Sequence, residues 1–161
     1  MDVARDSCER LAELALRFDM PLHLEAFGPS PFLNARFLVS VLQDYPMLRY
    51  CFDVAHLHLA AKRDGFDYYE LAQALGPFLG SIHLWNARHM EDYRAYRHIP
   101  VHPSQSPEEG WVDIPRILKV LLGANPQVPI ILEYAPRYPS PLGKYDYREG
   151  VEWVRELITS S

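Results

Sequence analysis

Four short apolar runs stop abruptly at a charged or imidazole side chain. Met20 to Leu24 ends at Glu25, Leu48 to Phe52 ends at Asp53, Leu79 to Trp85 carries His83 near its exit, and Val128 to Leu132 ends at Glu133. Runs this short and this continuous predict strands that are apolar on both faces, as in a parallel sheet covered by helices. Helical spacing occupies the intervals. Val3, Leu11, Leu14, Ala15 and Phe18 predict a first surface helix with that stripe buried. Ser30 and Pro31 predict the N-cap and first turn of a second helix running to about Leu42. Asp67 to Leu75, stopped by Gly76-Pro77, is the next, followed by a helix capped by Asp113 and a closing helix over Tyr147 to Ile158. The order is one helix and then four βα units, an α/β pattern. Right-handed crossovers place all four strand exits on one rim. Between Asn86 and Gly110 the periodicity disappears. A connection of that length is a lid, a binding loop or disorder, and its aromatic content weighs against disorder.

A strand that carries its charge only at its exit offers that charge to something. Burying an unpaired carboxylate costs several kcal/mol, so Asp53 should meet a metal, a cation or a set of donors. Taken singly, each residue has an ordinary explanation. Asp53 and His56, in the order Asp-x-x-His, suit a solvated loop or a helix N-cap; Glu25 suits a loop acid, and His83 a satisfied core histidine. Repetition changes the balance, because Glu25, Asp53, His83 and Glu133 occupy corresponding positions at the rim where α/β barrels bind ligands. Three carboxylates and an imidazole would repel unless a divalent cation sat among them. Their oxygen-rich mixture suits Mn²⁺, Mg²⁺ or Co²⁺, with Zn²⁺ also compatible.

Composition narrows the setting. At 161 residues with 48% hydrophobic side chains, the chain suits a single domain over 1–161 with a sizeable core. A net charge of -5 argues against a nucleic-acid partner held by phosphate contacts. Cys8 and Cys51 lack a metal-type Cys-x-x-Cys partner and are expected to be packed, reduced thiols of a cytoplasmic protein. No apolar run approaches the ~20 residues of a membrane span. Asp2 and the amphipathic pattern after it carry no leader-like character, so no signal peptide is expected.

The segments Leu22-His23-Leu24-Glu25, Phe52-Asp53-Val54-Ala55-His56, Ser81-Ile82-His83-Leu84-Trp85-Asn86, Gly110-Trp111-Val112-Asp113 and Ile131-Leu132-Glu133 resemble, in order, the C-terminal half of the xylose isomerase-like TIM-barrel superfamily. That superfamily includes sugar and sugar phosphate isomerases, epimerases of the tagatose 3-epimerase type and apurinic endonucleases of the endonuclease IV class. The resemblance implies one divalent metal held by Glu25, Asp53, His83 and Glu133, with the two glutamates also serving as acid and base. It makes His56 a substrate contact in an epimerase, or a ligand of a second metal in an endonuclease. The endonucleases carry a further Asp-x-His where this chain has Arg97-His98-Ile99-Pro100-Val101-His102, so His98 or His102 would have to reach the rim instead, His102 as a candidate substrate contact, with a solvated loop as the alternative for both. Trp85, Trp111 and Tyr134 are candidate faces for a sugar-like substrate, with core packing as the alternative. Arg137, with Arg88, Arg94 and Arg97, is a candidate for a phosphate or carboxylate, with a solvated loop as the alternative.

The implied activity is a metal-dependent isomerase or epimerase of a sugar or related hydroxy-carbonyl compound. An apurinic endonuclease-type phosphodiesterase and a non-catalytic metal or carbohydrate binder are the alternatives. A complete (β/α)₈ barrel needs about 250 residues and eight strands, and the pattern here predicts four. Such a half would expose two strand edges and an apolar inner face. The chain is therefore expected to be a fragment, to pair with itself as a homodimer or with a separate N-terminal half, or to be an inactive remnant.

Overall fold

A computed structural model describes residues 2–26, 28–134 and 145–159. Helix α1 (Asp2–Arg17) leads to strand β1 (Leu22–Glu25), and α2 (Ala35–Asp44) to β2 (Leu48–Asp53). Helices α3 (Val54–Asp64) and α4 (Tyr68–Leu75) precede β3 (Leu79–Leu84). Helices α5 (Met90–Tyr96) and α6 (Ile114–Ala124) precede β4 (Ile130–Leu132), and α7 (Tyr147–Thr159) follows it. The strands form one parallel sheet in the order β1-β2-β3-β4. This is the α/β fold read from the sequence, with four of the strands of a TIM barrel among the described residues. No helix among them is long and apolar enough to cross a membrane.

The strands differ from expectation in having two unlike faces. Leu24, Leu48, Tyr50, Phe52, Ile82 and Leu84 enter the core with the helices, and Ile130 and Leu132 pack against it. Each fully buried side chain of this kind contributes about 1.5–3 kcal/mol. Alternation then turns His23, Cys51, Ser81 and Ile131 to the opposite face. His23 Nδ1 lies 2.9 Å from Ser81 Oγ, reaching across β2. The inner face is therefore mostly polar, and the apolar lining expected there is reduced to the half-exposed Ile131. Runs that look continuous conceal this, because a histidine or serine between leucines reads as an interruption rather than as a second face.

Helix α1 keeps only Ala15 of its expected stripe inside. Cys8, Ala12 and Ala15 are buried, whereas Val3, Leu11, Leu14 and Phe18 are exposed. The helix lies against β1 and β2, and small side chains permit that close approach. Ser30 caps only a short 3₁₀ turn at Pro31–Leu33, and Asn34, accepting from Phe37 N at 3.0 Å, starts α2. Two further helices have no periodic signature. Helix α3 buries Val54, Ala55, Leu57, His58, Leu59 and Ala60, too much of its circumference to leave a polar stripe. Helix α5 lies inside the aperiodic segment, which is pinned by a buried amide pair. Asn86 Nδ2 donates to Gln105 Oε1 at 2.8 Å, and Asn86 Oδ1 accepts from Ala87 N and Val112 N. Gln105 Nε2 donates in turn to Pro100 O at 2.9 Å. A buried network satisfied this fully fixes a loop's path, which is how a long connection can hold side chains against the rim.

Candidate metal centre

Asp53 is the last residue of β2 and the N-cap of α3 at once. Its Oδ1 accepts the His56 backbone N–H at 2.9 Å, and the Trp85 indole N–H donates to Oδ1 at 2.9 Å and to Oδ2 at 3.0 Å. Capping and ligation, set against each other at the level of sequence, are thus compatible: the cap and the indole hold the carboxylate while Oδ2 faces the rim. Asp53 is 1% exposed. Burial lifts its carboxyl to about 7 despite those donors, and the nearby Glu25 and Glu133 charges push the same way.

The neighbouring strands bring the other expected residues to this point. Asp53 is paired in register with His83 on β3. His83 Nδ1 lies 3.3 Å from Glu133 Oε2, 3.6 Å from Glu25 Oε2 and 4.0 Å from Asp53 Oδ2. It is nevertheless a buried nitrogen without a hydrogen-bond partner. Glu25 and Glu133 flank it from β1 and from the end of β4, each about a third exposed. Burial raises the Glu25 carboxyl; the His83 imidazole opposes this and the Glu133 charge adds to it.

These residues fit a divalent ion. An orphaned ring nitrogen ringed by three carboxylates is what an ion would satisfy, since ligand atoms ~2.1 Å from a common centre lie roughly 3.0–3.5 Å apart. Asp53, His83 and Glu133 present ligand atoms mutually within 4.8 Å, as do Glu25, Asp53 and His56.

His56 is also at the rim, with Nε2 4.0 Å from Asp53 Oδ2. Burial, helped by the His98 and His83 charges, lowers its imidazole to about 4, so it is neutral at pH 7. Of the two readings of Trp85, a substrate face or core packing, its burial matches the second. It has no exposed surface, and His98 lies over its ring at 4.4 Å with the His56 edge at 4.9 Å. Its role in this arrangement is to orient Asp53. Trp111 is likewise buried, with Arg88 over its ring, and Arg88 is itself paired with Asp92 at 2.8 Å. His102 is turned elsewhere. Ser104 lies at its Nδ1 at 2.7 Å, and its Nε2 donates to Glu149 on α7 at 2.8 Å. Arg137 lies outside the described residues.

His98 is the rim residue that the sequence offered only as one of two options. Its Nδ1 lies 3.5 Å from Glu133 Oε1. The ring stacks on Trp85 and Tyr93, and Arg97 before it adopts a left-handed φ of 60°. A non-glycine residue in that region is held by its surroundings, here next to a functional side chain. Tyr134 was expected as an apolar face. Its hydroxyl is buried without a hydrogen-bond partner, and burial pushes it up to about 12.

Parallel βα units with acidic and imidazole side chains gathered at the strand exits define a barrel-type α/β protein with a metal-competent rim. The chain belongs to the xylose isomerase-like TIM barrel family, whose model matches residues 1–157. A search of curated proteins returns no match.

The Trp85 contact supplies a direct test of the geometry. Replacing Trp85 with Phe keeps an aromatic ring but removes the indole donor to Asp53. Mn²⁺ affinity measured by calorimetry is expected to fall by roughly 10–100-fold, as for loss of other groups that orient a ligand.

Proposed function

We propose that the rim is the active site of a divalent-metal-dependent isomerase or epimerase acting on a sugar or related hydroxy-carbonyl compound. The observation that carries this reading is the pair of partly exposed carboxylates, Glu25 and Glu133, on opposite sides of the buried Asp53 and the half-buried His83. Two bases on either side of one point can remove a proton from one face of a carbon and deliver one to the same or the adjacent carbon. The ion would be held by Glu25, Asp53, His83 and Glu133, with Mn²⁺, Mg²⁺ or Co²⁺ favoured by the hard ligands and Zn²⁺ compatible. When bound it supplies polarisation of the substrate carbonyl and stabilises the enediolate charge.

The chain's own groups provide the rest. Either glutamate can accept the proton from the carbon beside the carbonyl, and the raised proton affinity of Glu25 suits it to return one. Neutral His56 offers a hydrogen bond to a substrate hydroxyl without adding charge. His98 beside Glu133 orients that carboxylate. Trp85 and the α3 N-terminus keep Asp53 from rotating away.

Solvent-deuterium exchange into a panel of ketoses and 2-hydroxy-ketones tests the reading. With saturating Mn²⁺, Glu133→Gln is expected to lower exchange by about 10²–10⁴-fold, the usual contribution of a positioned acid or base. Exchange unaffected by the substitution, or absent from the parent chain with every substrate, would sink it.

A second reading, phosphodiester cleavage of the apurinic endonuclease type, draws support from one feature: the His98 ring lies 5.7 Å from the His56 ring and beside Glu133, so that two imidazoles stand together next to the carboxylates. The net charge of -5 works against it. Incision of an oligonucleotide with a single abasic site separates the two activities.

A further inference from the structure

Beneath the rim, the polar inner face contains a ligand that the proposed reaction does not use. Cys51 precedes Asp53 by two residues on β2, so its side chain shares the face of Asp53 and lies one step deeper in the sheet. It is paired in register with Glu25 on one side and with Ser81, which precedes His83 by two residues, on the other. Sγ, a Glu25 oxygen and a His83 ring nitrogen all lie within 4.8 Å of one another. His83 Nδ1 makes no hydrogen bond that an ion would have to break. Cys51 is 3% exposed and lies outside the cluster packed by the helices, with the Ser81 hydroxyl as its hydrogen-bonding neighbour on the polar face.

We propose that the centre has two mutually exclusive ion positions: an upper one on Glu25, Asp53, His83 and Glu133 for hard ions, and a lower one on Glu25, Cys51 and His83 that takes thiophilic divalent ions such as Zn²⁺ or Cd²⁺. The proposal rests on the reading that the rim binds a divalent ion. A thiolate, an imidazole and a carboxylate form a soft-to-borderline set, whereas three oxygens with one nitrogen form a hard one. Sharing His83 makes occupation of one position exclude the other. In the lower position the S–H bond breaks, the sulfur electron pair binds the ion and the proton leaves to solvent. An ion held there is withdrawn from Asp53 and Glu133, so thiophilic ions act as competitive inhibitors against Mn²⁺ or Mg²⁺.

Titration of the metal-free chain with Cd²⁺ and, separately, with Mn²⁺ tests this. Cd²⁺ is expected to give an ultraviolet thiolate-to-cadmium charge-transfer band saturating at one ion per chain and to displace Mn²⁺. The band should persist in Cys8→Ser, since Cys8 is buried on the core-facing side of α1, and vanish in Cys51→Ser and Cys51→Ala. Those two variants should keep Mn²⁺ binding while losing Cd²⁺ affinity by about 100-fold or more, beyond what a merely supporting contact costs. Stoichiometric Cd²⁺ binding by the parent with no such band overturns the proposal without recourse to any variant, as does a band that survives Cys51→Ser. If Mn²⁺ binds and Cd²⁺ gives no band, only the lower position falls. If neither ion binds, the metal reading of the rim falls and this proposal with it.

Discussion

Without divalent ions, Asp53→Asn is expected to be more stable than the parent at pH 8 while binding Mn²⁺ at least about 100-fold more weakly. The two effects share one cause. Asp53 ionises near pH 7 in the folded chain because burial outweighs its donors, against about 3.9 when unfolded. A carboxyl whose folded value is raised contributes its full stability below the unfolded value and loses it as pH rises through the folded one. The metal-free parent should therefore weaken from about pH 4 to pH 8, and the shift corresponds to a loss on the order of 4 kcal/mol. Asparagine carries no charge to desolvate, and its side-chain oxygen can still accept from His56 N and Trp85 Nε1. Its stability should not show that fall. Saturating Mn²⁺ should restore the parent at pH 8 and leave the variant unchanged. Denaturant melts at pH 5 and pH 8, with and without Mn²⁺, check all four corners. A variant that is less stable than the metal-free parent at pH 8 would mean that Asp53 is held by its caps alone.

Gly150→Ala is expected to destabilise the fold by about 3 kcal/mol, an overpacking penalty at the upper end of the usual range. A Cβ at Gly150 would stand 2.0 Å from the Val101 carbonyl oxygen, and 3.2 Å from its carbon. The contact is with backbone, so no side-chain rotation relieves it and α7 must move outward. That motion pulls Glu149 from His102 and loosens the segment that carries His98 to Glu133. In a chain of this size the melting temperature should drop by roughly 6–12 °C. Gly123→Ala is the control. A Cβ there meets nothing within 4 Å, and alanine favours the helix by about 0.5–1 kcal/mol, so a small rise is expected. Equal behaviour of the two substitutions in a thermal melt would show that α7 is not seated on Val101 in solution.

The site was more legible than the scaffold around it. Glu25, Asp53, His83 and Glu133 could be picked out because a charge at the end of an apolar run is conspicuous in any order of folding. The dual position of Asp53 was half visible: both a cap and a ligand were readable, but not that one carboxylate could serve as both. Helix α3 was invisible because Val54 to Asp64 buries too much of its surface to show a periodic stripe. The Trp85 contact joins positions 32 residues apart, and its donor role has no local signal. His98 and His102 look alike in the chain; only the Asn86–Gln105 pair and the reach of Glu149 from α7 send one to the rim and the other away.

By itself, the amino-acid sequence determined four parallel strands, the rim on which their exits meet and the ligand types offered there. Apolar run length, crossover handedness and residue chemistry act locally and survive in one dimension. The tertiary structure alone decided which face of each strand is buried, which aromatic holds Asp53, which histidine reaches Glu133 and that Cys51 lies within reach of Glu25 and His83. Those outcomes depend on neighbours brought together by folding, and periodicity records how much of a residue is buried without recording what buries it.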